Sequence, residues 1–243
     1  MSILEKARSI GRFGRVAATT ISNYLGVAKD YKRLGDDRQR QMHWMMRWGK
    51  QMVQDMGIDI DLHGHPHEGA VLYVVNHRSY ADIPIVLSQI PTFMLAKFEV
   101  SHWPIVGGGA KSAGAVFVKR DKKTSRRNAA EAISQRLQEG YPVLLFPEGT
   151  TVKGEIQTFK PRSFQIAASL GIPVVPVALE YHHEDMAWVG GSDFSFVTHF
   201  IKHYGERRSK VRLSIGPKLL DDDPVRLMER ARQFIIDEAI VPT

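Results

Sequence analysis

The sequence has 243 residues, of which 43% are hydrophobic and 24% are charged, so the chain is long enough to bury one sizeable core. It contains no cysteine, which excludes disulfides, thiolate metal sites and a cysteine nucleophile. The formal net charge of +7 suits partners that carry phosphate groups, either nucleic acid or an anionic membrane surface.

The N-terminal part of the chain is basic and amphipathic. Residues 1–58 hold eleven Lys and Arg against five acidic residues, which is a surplus of six out of the total of seven. Methionines recur at helical spacing between Met42 and Met56, with Trp44 and Trp48 beside them, and a weaker apolar stripe runs from Ile10 to Leu25. Two helices are therefore predicted. These helices could pack on the main domain or lie on an anionic bilayer, and the two roles are compatible.

The same region argues against a membrane-spanning protein. No run of about 18 consecutive apolar residues occurs, and residues 1–10 lack the pattern of a signal peptide. We therefore expect peripheral or monotopic attachment, at the cytoplasmic face of a membrane.

From Ile58 onward, short β-rich runs alternate with helical segments. Strands are predicted at Ile58–Leu62, Val71–Val75, Phe93–Ala96, Ala115–Val118, Val143–Phe146, Val174–Leu179 and Val211–Ile215. Helices are predicted at Asp82–Ser88, Ser125–Glu139, Phe159–Leu170 and Pro224–Ala239. This alternation predicts an α/β fold with a mostly parallel central sheet flanked by helices, plus the basic helical appendage. The boundary is placed at Gly57, and no role is assigned to Glu184–Lys210.

The stretch VVNHRSYADIP places a base and an acid at the end of a predicted strand. His77 follows Val75 closely, and Asp82 opens the next helix. A neutral imidazole can accept a proton from a hydroxyl, and a carboxylate on its other nitrogen would fix the tautomer. A structural alternative is equally consistent with the spacing: Ser79 could be the N-cap of a capping box with Asp82 three positions later. Ser79 also remains open as a nucleophile, although no G-x-S-x-G turn surrounds it.

Two further stretches end strands with polar groups. In LLFPEGT, Glu148, the backbone N–H of Gly149 and the hydroxyl of Thr150 would face the same sheet edge as His77. In GAVFVKR, the strand delivers Arg120, which could bind a phosphate with two hydrogen bonds, although a charge run such as Lys119–Arg127 is, taken alone, more often a solvated helix start.

Four motifs in order resemble the glycerolipid acyltransferases, in particular the 1-acyl-sn-glycerol-3-phosphate acyltransferase branch. They are N-H-x-x-x-x-D at Asn76–Asp82, G-x-x-F-x-x-R at Gly114–Arg120, F-P-E-G-T at Phe146–Thr150 and I-P-V-V-P-V at Ile172–Val177. The resemblance covers roughly residues 71–179. One departure is the Pro161-Arg162-Ser163 sequence, where many relatives have a small glycine-containing pair.

The resemblance implies direct transfer of a fatty acyl group from acyl-CoA or acyl-carrier protein to a lysophospholipid hydroxyl, with no further cofactor. His77 would be the general base and Asp82 would orient it. The acceptor would be bound by Arg120, Glu148, Gly149, Thr150, Lys97 and Lys160. In this interpretation residues 1–57 associate with an anionic membrane and residues 58–243 form the acyltransferase domain.

Three alternatives compete with this prediction. The acceptor could be another lysolipid such as a lyso-ornithine lipid, because Arg120 does not distinguish phosphate from carboxylate. A basic nucleic-acid-binding protein would explain the charge but not His77 and Asp82. Alternating His63, His65 and His67 could bind a metal, although Gly64 and Pro66 favour a solvated loop, and we expect neither a metal nor nucleic acid.

Overall fold

The computed structural model describes residues 1–97, 115–118, 123–189 and 195–239, and within these ranges it contains seven strands in one sheet. The strands are β1 (Ile58–His63), β2 (Leu72–Val75), β3 (Phe93–Lys97), β4 (Val116–Val118), β5 (Val143–Leu145), β6 (Val174–Tyr181) and β7 (Ser209–Ile215). Their order across the sheet is β1-β7-β6-β2-β5-β3-β4.

All pairs in this sheet are parallel except β6 with β7, which confirms the predicted mostly parallel sheet. The order places β2, β5, β3 and β4 side by side with their carboxyl ends at one edge. Ligand sites in open parallel sheets lie at that edge, so the residues that follow these four strands are the candidates for a functional site.

The described helices cover both faces of the sheet. They are α1 (Ile3–Leu34), α2 (Arg38–Met56), α3 (Asp82–Gln89), α4 (Lys123–Gln138), α5 (Arg162–Leu170), α6 (Phe196–His203) and α7 (Pro224–Glu238). Tyr73 and Val75 of β2 pack with α2 and α3 on one face, whereas Leu72 and Val74 pack with α4, α5 and α7 on the other. A strand buried on both faces is apolar throughout, and for this reason the unbroken apolar run Val71–Val75 predicts β2.

The methionine stripe of α2 packs inward. Met45, Met52 and Met56 are buried in the same core cluster as the apolar residues of α3. At the crossing of the two helices, a Cβ on Gly49 would lie 2.6 Å from the backbone nitrogen of Ser88, so α2 approaches α3 closely only because this position has no side chain.

Helix α1 is fastened to the main domain by a buried arginine. Arg12 is 5% exposed, and its guanidinium donates hydrogen bonds to the carbonyl oxygens of Tyr204, Glu206 and Arg207, just after α6. Three carbonyl acceptors satisfy a buried cation that would otherwise be costly. Burial also lowers the pKa of Arg12.

The outward face of α1 remains apolar. Ile3, Ile10, Ile21 and Leu25 are exposed, and their spacings of seven, eleven and four residues are each close to a whole number of helical turns, so they form one stripe. Along the described residues, none of the helices combines the length and apolar character needed to cross a bilayer.

Candidate active site

His77 and Asp82 form a hydrogen-bonded pair at the carboxyl end of β2. His77 lies two residues beyond the end of the strand, and Asp82 is the first residue of α3. The distance from His77 Nδ1 to Asp82 Oδ2 is 2.7 Å, and the imidazole side chain is 17% exposed. A carboxylate at Nδ1 favours the tautomer with its proton on Nδ1, so the lone pair lies on Nε2.

The Asp82 carboxylate is fully buried and is held by three further donors. Its Oδ2 accepts from the backbone N–H groups of Arg78 at 2.6 Å and Ser79 at 2.8 Å, and its Oδ1 accepts from the Tyr181 hydroxyl at 2.6 Å. Burial, together with the negative charge of Asp82, raises the pKa of the Tyr181 phenol, which therefore stays protonated and donates. A buried carboxylate is stable when its oxygens are hydrogen-bonded in this way.

The predicted capping box is only half present. The N-cap of α3 is Ala81, without a side-chain cap, so the prediction of Ser79 as N-cap is wrong. The Asp82 carboxylate does accept the Ser79 N–H as a capping-box acid would, and the same oxygen accepts the imidazole. Ser79 itself is completely buried, with its Oγ 3.5 Å from the Ala81 nitrogen, which gives it none of the exposure that a nucleophile needs.

Glu148 ties the end of β5 to the backbone of His77. Its Oε1 accepts from the His77 N–H at 2.8 Å, and its Oε2 accepts from the Gln157 N–H at 3.0 Å. The side chain is only 6% exposed. The Phe146 ring stacks on the imidazole with centroids 4.0 Å apart, and the Val152 N–H donates to the His77 carbonyl at 2.9 Å. Phe146 therefore holds the ring of His77, while Glu148 and Val152 hold its backbone N–H and carbonyl.

The other residues of that stretch form a tight turn. Gly149 has φ of +79°, and its N–H donates to the Phe146 carbonyl at 3.0 Å. The backbone conformation therefore favours glycine, and the Lys160 ammonium occupies the space where a Cβ would lie, 2.0 Å from that position. Thr150 and Lys160 are exposed at the same edge.

Two predicted acceptor-binding residues, Lys97 and Arg120, come at the end of β3 and shortly after β4 in the sequence. Lys97 is the last residue of β3, which pairs with β4 in parallel through Lys97 and Val118. Arg120 lies outside the described residues. Since β4 ends at Val118, the chain enters that region from the same sheet edge as His77.

Three polar residues contribute to the site without having been predicted. Asn76 is fully buried and makes two 2.8 Å side-chain bonds to the backbone of Leu179, which fixes the end of β2 against β6. Tyr181 holds Asp82, as described above. The Arg78 guanidinium donates to the Gly154 carbonyl and lies 3.6 Å from Glu180, whose pKa is raised by burial. For Asn76, its position directly after an apolar strand was the available signal.

A cavity of about 510 Å³ opens beside this edge. Its lining includes Arg78, Tyr181 and Glu180, together with Arg232 and Ile236 of α7. Such a volume is within the range of small-ligand pockets. Tyr181 connects this cavity to Asp82 through its hydroxyl.

The rings of His65 and His67 lie side by side with centroids 5.6 Å apart, but the hydrogen bonds of His63 and His67 are with other groups. His63 pairs with Asp61 at 3.0 Å, and the His67 Nε2 bonds to the Gly216 carbonyl at 3.0 Å. Within the part of the chain that the structure describes, no group of three or more potential metal ligands is present.

Comparison with known proteins gives a consistent set of matches. A family model described as Acyltransferase matches residues 59–180, which contain His77, Asp82 and Glu148. The lyso-ornithine lipid O-acyltransferase of Pseudomonas aeruginosa is 30% identical over 200 residues, covering 80% of this chain and 74% of that protein. The 1-acyl-sn-glycerol-3-phosphate acyltransferase of Neisseria gonorrhoeae is 34% identical over 131 residues, or 54% of this chain and about half (51%) of that protein.

The fold also matches a solved structure. The crystal structure of the 1-acyl-sn-glycerophosphate acyltransferase PlsC from Thermotoga maritima superimposes with a TM-score of 0.64 and 22% identity. The match covers 96% of this chain and 100% of that chain. At this level of identity the likeness concerns the fold.

Proposed function

The chain belongs to the acyltransferase family, and from that premise we propose that it transfers a fatty acyl group from a thioester to the free hydroxyl of a lysophospholipid. The observation that carries the proposal is the 2.7 Å bond from His77 Nδ1 to Asp82 at the carboxyl end of β2. Relatives are named 1-acyl-sn-glycerol-3-phosphate acyltransferase and lyso-ornithine lipid O-acyltransferase, which supports a lysolipid as the acceptor.

In the proposed reaction His77 is the general base. Its Nε2 removes the proton of the acceptor hydroxyl while the hydroxyl oxygen attacks the thioester carbonyl carbon. The new C–O bond replaces the C–S bond, and the proton passes from the imidazolium to the departing thiolate. Asp82 stabilises the imidazolium and keeps the ring oriented, as the carboxylate does in other His-acid pairs.

The donor is proposed to be acyl-CoA or acyl-carrier protein, and the reaction needs no cofactor. Both donors present an activated thioester, so the acyl chain can pass directly to the acceptor oxygen. A buried Ser79 and the absence of cysteine leave direct transfer as the simplest route.

The preferred acceptor is 1-acyl-sn-glycerol 3-phosphate, which would give phosphatidic acid. Lys97 and Lys160 lie at the same sheet edge as His77, and Arg120 follows β4 in sequence; together they would supply positive charge for the phosphate. Glu148 and Gly149 would shape the acceptor site through their hydrogen bonds to the backbone of His77 and Phe146, and the exposed Thr150 would contact the acceptor.

A lyso-ornithine lipid is the second candidate acceptor. It is favoured by the Pseudomonas relative, whose alignment covers 80% of this chain against 54% for the Neisseria relative. Arg162, exposed at the first position of α5, departs from the pattern of the lysophosphatidic acid branch and could favour another head group.

We further propose that the protein works on the cytoplasmic face of a membrane as a peripheral or monotopic protein, and that nucleic acid is not a partner. The exposed stripe of α1, formed by Ile3, Ile10, Ile21 and Leu25, would enter the apolar layer. Functionally, residues 1–57 would associate with an anionic surface and residues 58–243 would carry out the transfer. Because α2 packs on α3, α1 is the helix with the apolar face to offer.

A thiol-release assay with acyl-CoA and a panel of lysolipids tests this function. We expect thiol release to depend on one lysolipid, and His77→Ala to reduce the rate by ~10³-fold or more, because the base is lost. His183→Ala, which removes an exposed imidazole, is the matched control. Substantial turnover by folded His77→Ala would remove the general-base assignment, and release independent of any lysolipid would remove the transferase proposal.

A further inference from the structure

A second cavity, of about 340 Å³, lies between the loop after β5 and the segment that contains α6. Its lining includes Lys153 from the loop and His199, Lys202 and His203 from α6, which we call the basic pocket. Among the described residues of the lining, Asp185 is the acidic one, and Trp188 and Val189 add an apolar wall. Apart from Lys153, these residues lie in the Glu184–Lys210 segment, to which the sequence analysis assigns no role.

The basic pocket adjoins the His77–Asp82 pair through direct backbone bonds. The Val152 N–H, one residue before Lys153, donates to the His77 carbonyl at 2.9 Å. The Trp188 N–H donates to the Arg78 carbonyl at 2.8 Å. Two walls of the pocket are thus hydrogen-bonded to the backbone carbonyls of His77 and Arg78, which ties the pocket to the segment that carries the catalytic pair.

Tyr80, inside the N-H-x-x-x-x-D motif, anchors the third wall. Its hydroxyl is 3.0 Å from His199 Nδ1, and the other imidazole nitrogen, Nε2, is 2.9 Å from the Asp185 carbonyl. A carbonyl can only accept, so Nε2 carries the proton and Nδ1 accepts from Tyr80. The Tyr80 ring also packs edge-on against Trp188, with centroids 5.6 Å apart. His199 is therefore a neutral, fully bonded part of the wall.

Charges of both signs act on the histidines of the pocket. Burial lowers the pKa of His199 to about 4. The pKa of His203 is lowered, first by burial; Asp185 has the next largest effect and raises it, and Lys202 and Lys153 each lower it. The two ammonium groups thus repel a proton on His203, and a bound anion would relieve this repulsion.

We propose that the basic pocket binds a phosphate group of one of the two substrates, with Lys153 and Lys202 as the charged donors and an imidazole N–H of His203 as a third donor. This rests on the proposed acyl transfer and adds a second anion site to the one expected around Arg120. A phosphate ester suits the pocket because its oxygens accept from ammonium and imidazole N–H groups, while Trp188 and Val189 contact the adjoining carbons. The phosphate comes from the lysophospholipid head group or from the donor, CoA or phosphopantetheine.

Phosphate binding to the basic pocket can be measured without turnover. A negative result for the pocket is therefore distinguishable from failure of the proposed acyl transfer. The NMR titration of the His203 imidazole, assigned with His203→Gln, is recorded in inorganic phosphate and in chloride at equal ionic strength. We expect phosphate to raise the midpoint by about 0.5 pH unit or more. In Lys153→Gln/Lys202→Gln the phosphate-dependent shift should vanish. A wild-type midpoint that ignores phosphate overturns the proposal.

Steady-state kinetics then identify the source of the phosphate. With Lys153→Gln/Lys202→Gln, KM should rise ~10-fold or more for one substrate when the other is saturating, since each lost charged contact weakens binding. A rise for lysophosphatidic acid assigns the pocket to the acceptor, and a rise for acyl-CoA assigns it to the donor. Lys210→Gln/Lys218→Gln, at exposed lysines elsewhere, makes the same change in net charge and is the control. Unchanged KM values for both substrates contradict the assignment.

Discussion

At the residue scale, the site is built from backbone groups as much as from side chains. Asp82 collects an imidazole, two backbone N–H groups and a phenol, and Glu148 collects two backbone N–H groups. Neither carboxylate can move without leaving buried donors unsatisfied. The fixed position of His77 therefore follows from the hydrogen-bond requirements of two buried acids.

Replacing Glu148 tests whether the buried acids fix the position of His77. In Glu148→Gln the carboxamide can accept only through its oxygen, so one of the N–H groups of His77 and Gln157 faces an NH2 group inside the protein. We expect kcat to fall ~10- to 100-fold and thermal stability to drop, because a charged hydrogen bond contributes about 1.5–3 kcal/mol. Thiol release and thermal unfolding measure both.

The control is Glu155→Gln, which makes the same isosteric change at an exposed position of the same loop. If Glu148 acted mainly by contacting the acceptor, KM would rise while kcat and stability stayed near wild-type values. That outcome would return Glu148 to substrate binding.

At the scale of elements, the position of α3 depends on how closely α2 can approach it. Gly49→Ala would place a Cβ 2.6 Å from the Ser88 nitrogen and 2.9 Å from the Pro84 carbonyl oxygen, both backbone atoms of α3. We expect a loss of about 1–3 kcal/mol in the free energy of unfolding, because neither helix can yield without disturbing the core. Urea unfolding measures this loss.

Gly14→Ala on α1 is the matched control. A Cβ there has no neighbour within 4 Å, so the same substitution should be neutral or should stabilise the helix by about 0.5–1 kcal/mol. Equal stabilities for the two variants would show that the crossing has room that the structure does not indicate.

Helix α6 makes the fold sensitive to acid. The pKa of His199 is about 4 in the folded state, below that of an unfolded histidine, so between about pH 6.5 and pH 4 the unfolded chain binds the additional proton. Stability from this group is therefore present above pH 6.5 and is lost as the pH falls, by no more than about 3 kcal/mol.

His199→Gln removes the titration, and comparison of its pH dependence with wild type isolates the effect. We expect the variant to lose less free energy of unfolding than wild type across this interval, measured by urea unfolding at each pH. His43→Gln, at an exposed position of α2, should follow wild type. Parallel curves for His199→Gln and wild type would mean that the imidazole titrates in the folded protein as it does in the unfolded one.

At the scale of the whole molecule, the sequence predicted what depends on local pattern. All seven strands and four of the helices were located to within about three residues, because buried parallel strands are continuous apolar runs bounded by turns. The His77–Asp82 contact was predicted as one of two possibilities. Tyr181 and α6 were not predicted, since their roles depend on contacts with residues about a hundred or more positions away, such as Asp82 and Tyr80.

The basic N-terminal region shows the same limit. Periodicity identified amphipathic helices but could not say which apolar stripe packs inward, because both faces of a helix between core and solvent can be apolar. The structure buries Met45, Met52 and Met56 of α2 and leaves Ile3, Ile10, Ile21 and Leu25 of α1 exposed. Any membrane contact is therefore expected from α1, beside lysines and arginines that flank the stripe.

Vesicle co-sedimentation tests whether this stripe seats the protein on a bilayer. Ile3→Ser, Ile10→Ser and Leu25→Ser together should weaken binding to anionic vesicles at least ~10-fold, since each side chain loses on the order of 1 kcal/mol of apolar transfer. Leu62→Ser, Leu220→Ser and Val225→Ser together remove three exposed apolar side chains elsewhere and should bind as wild type. High salt should weaken wild-type binding further, because the flanking basic residues act through screened charge. If the α1 variant sediments like wild type, α1 has a packing role alone and the bilayer is contacted elsewhere.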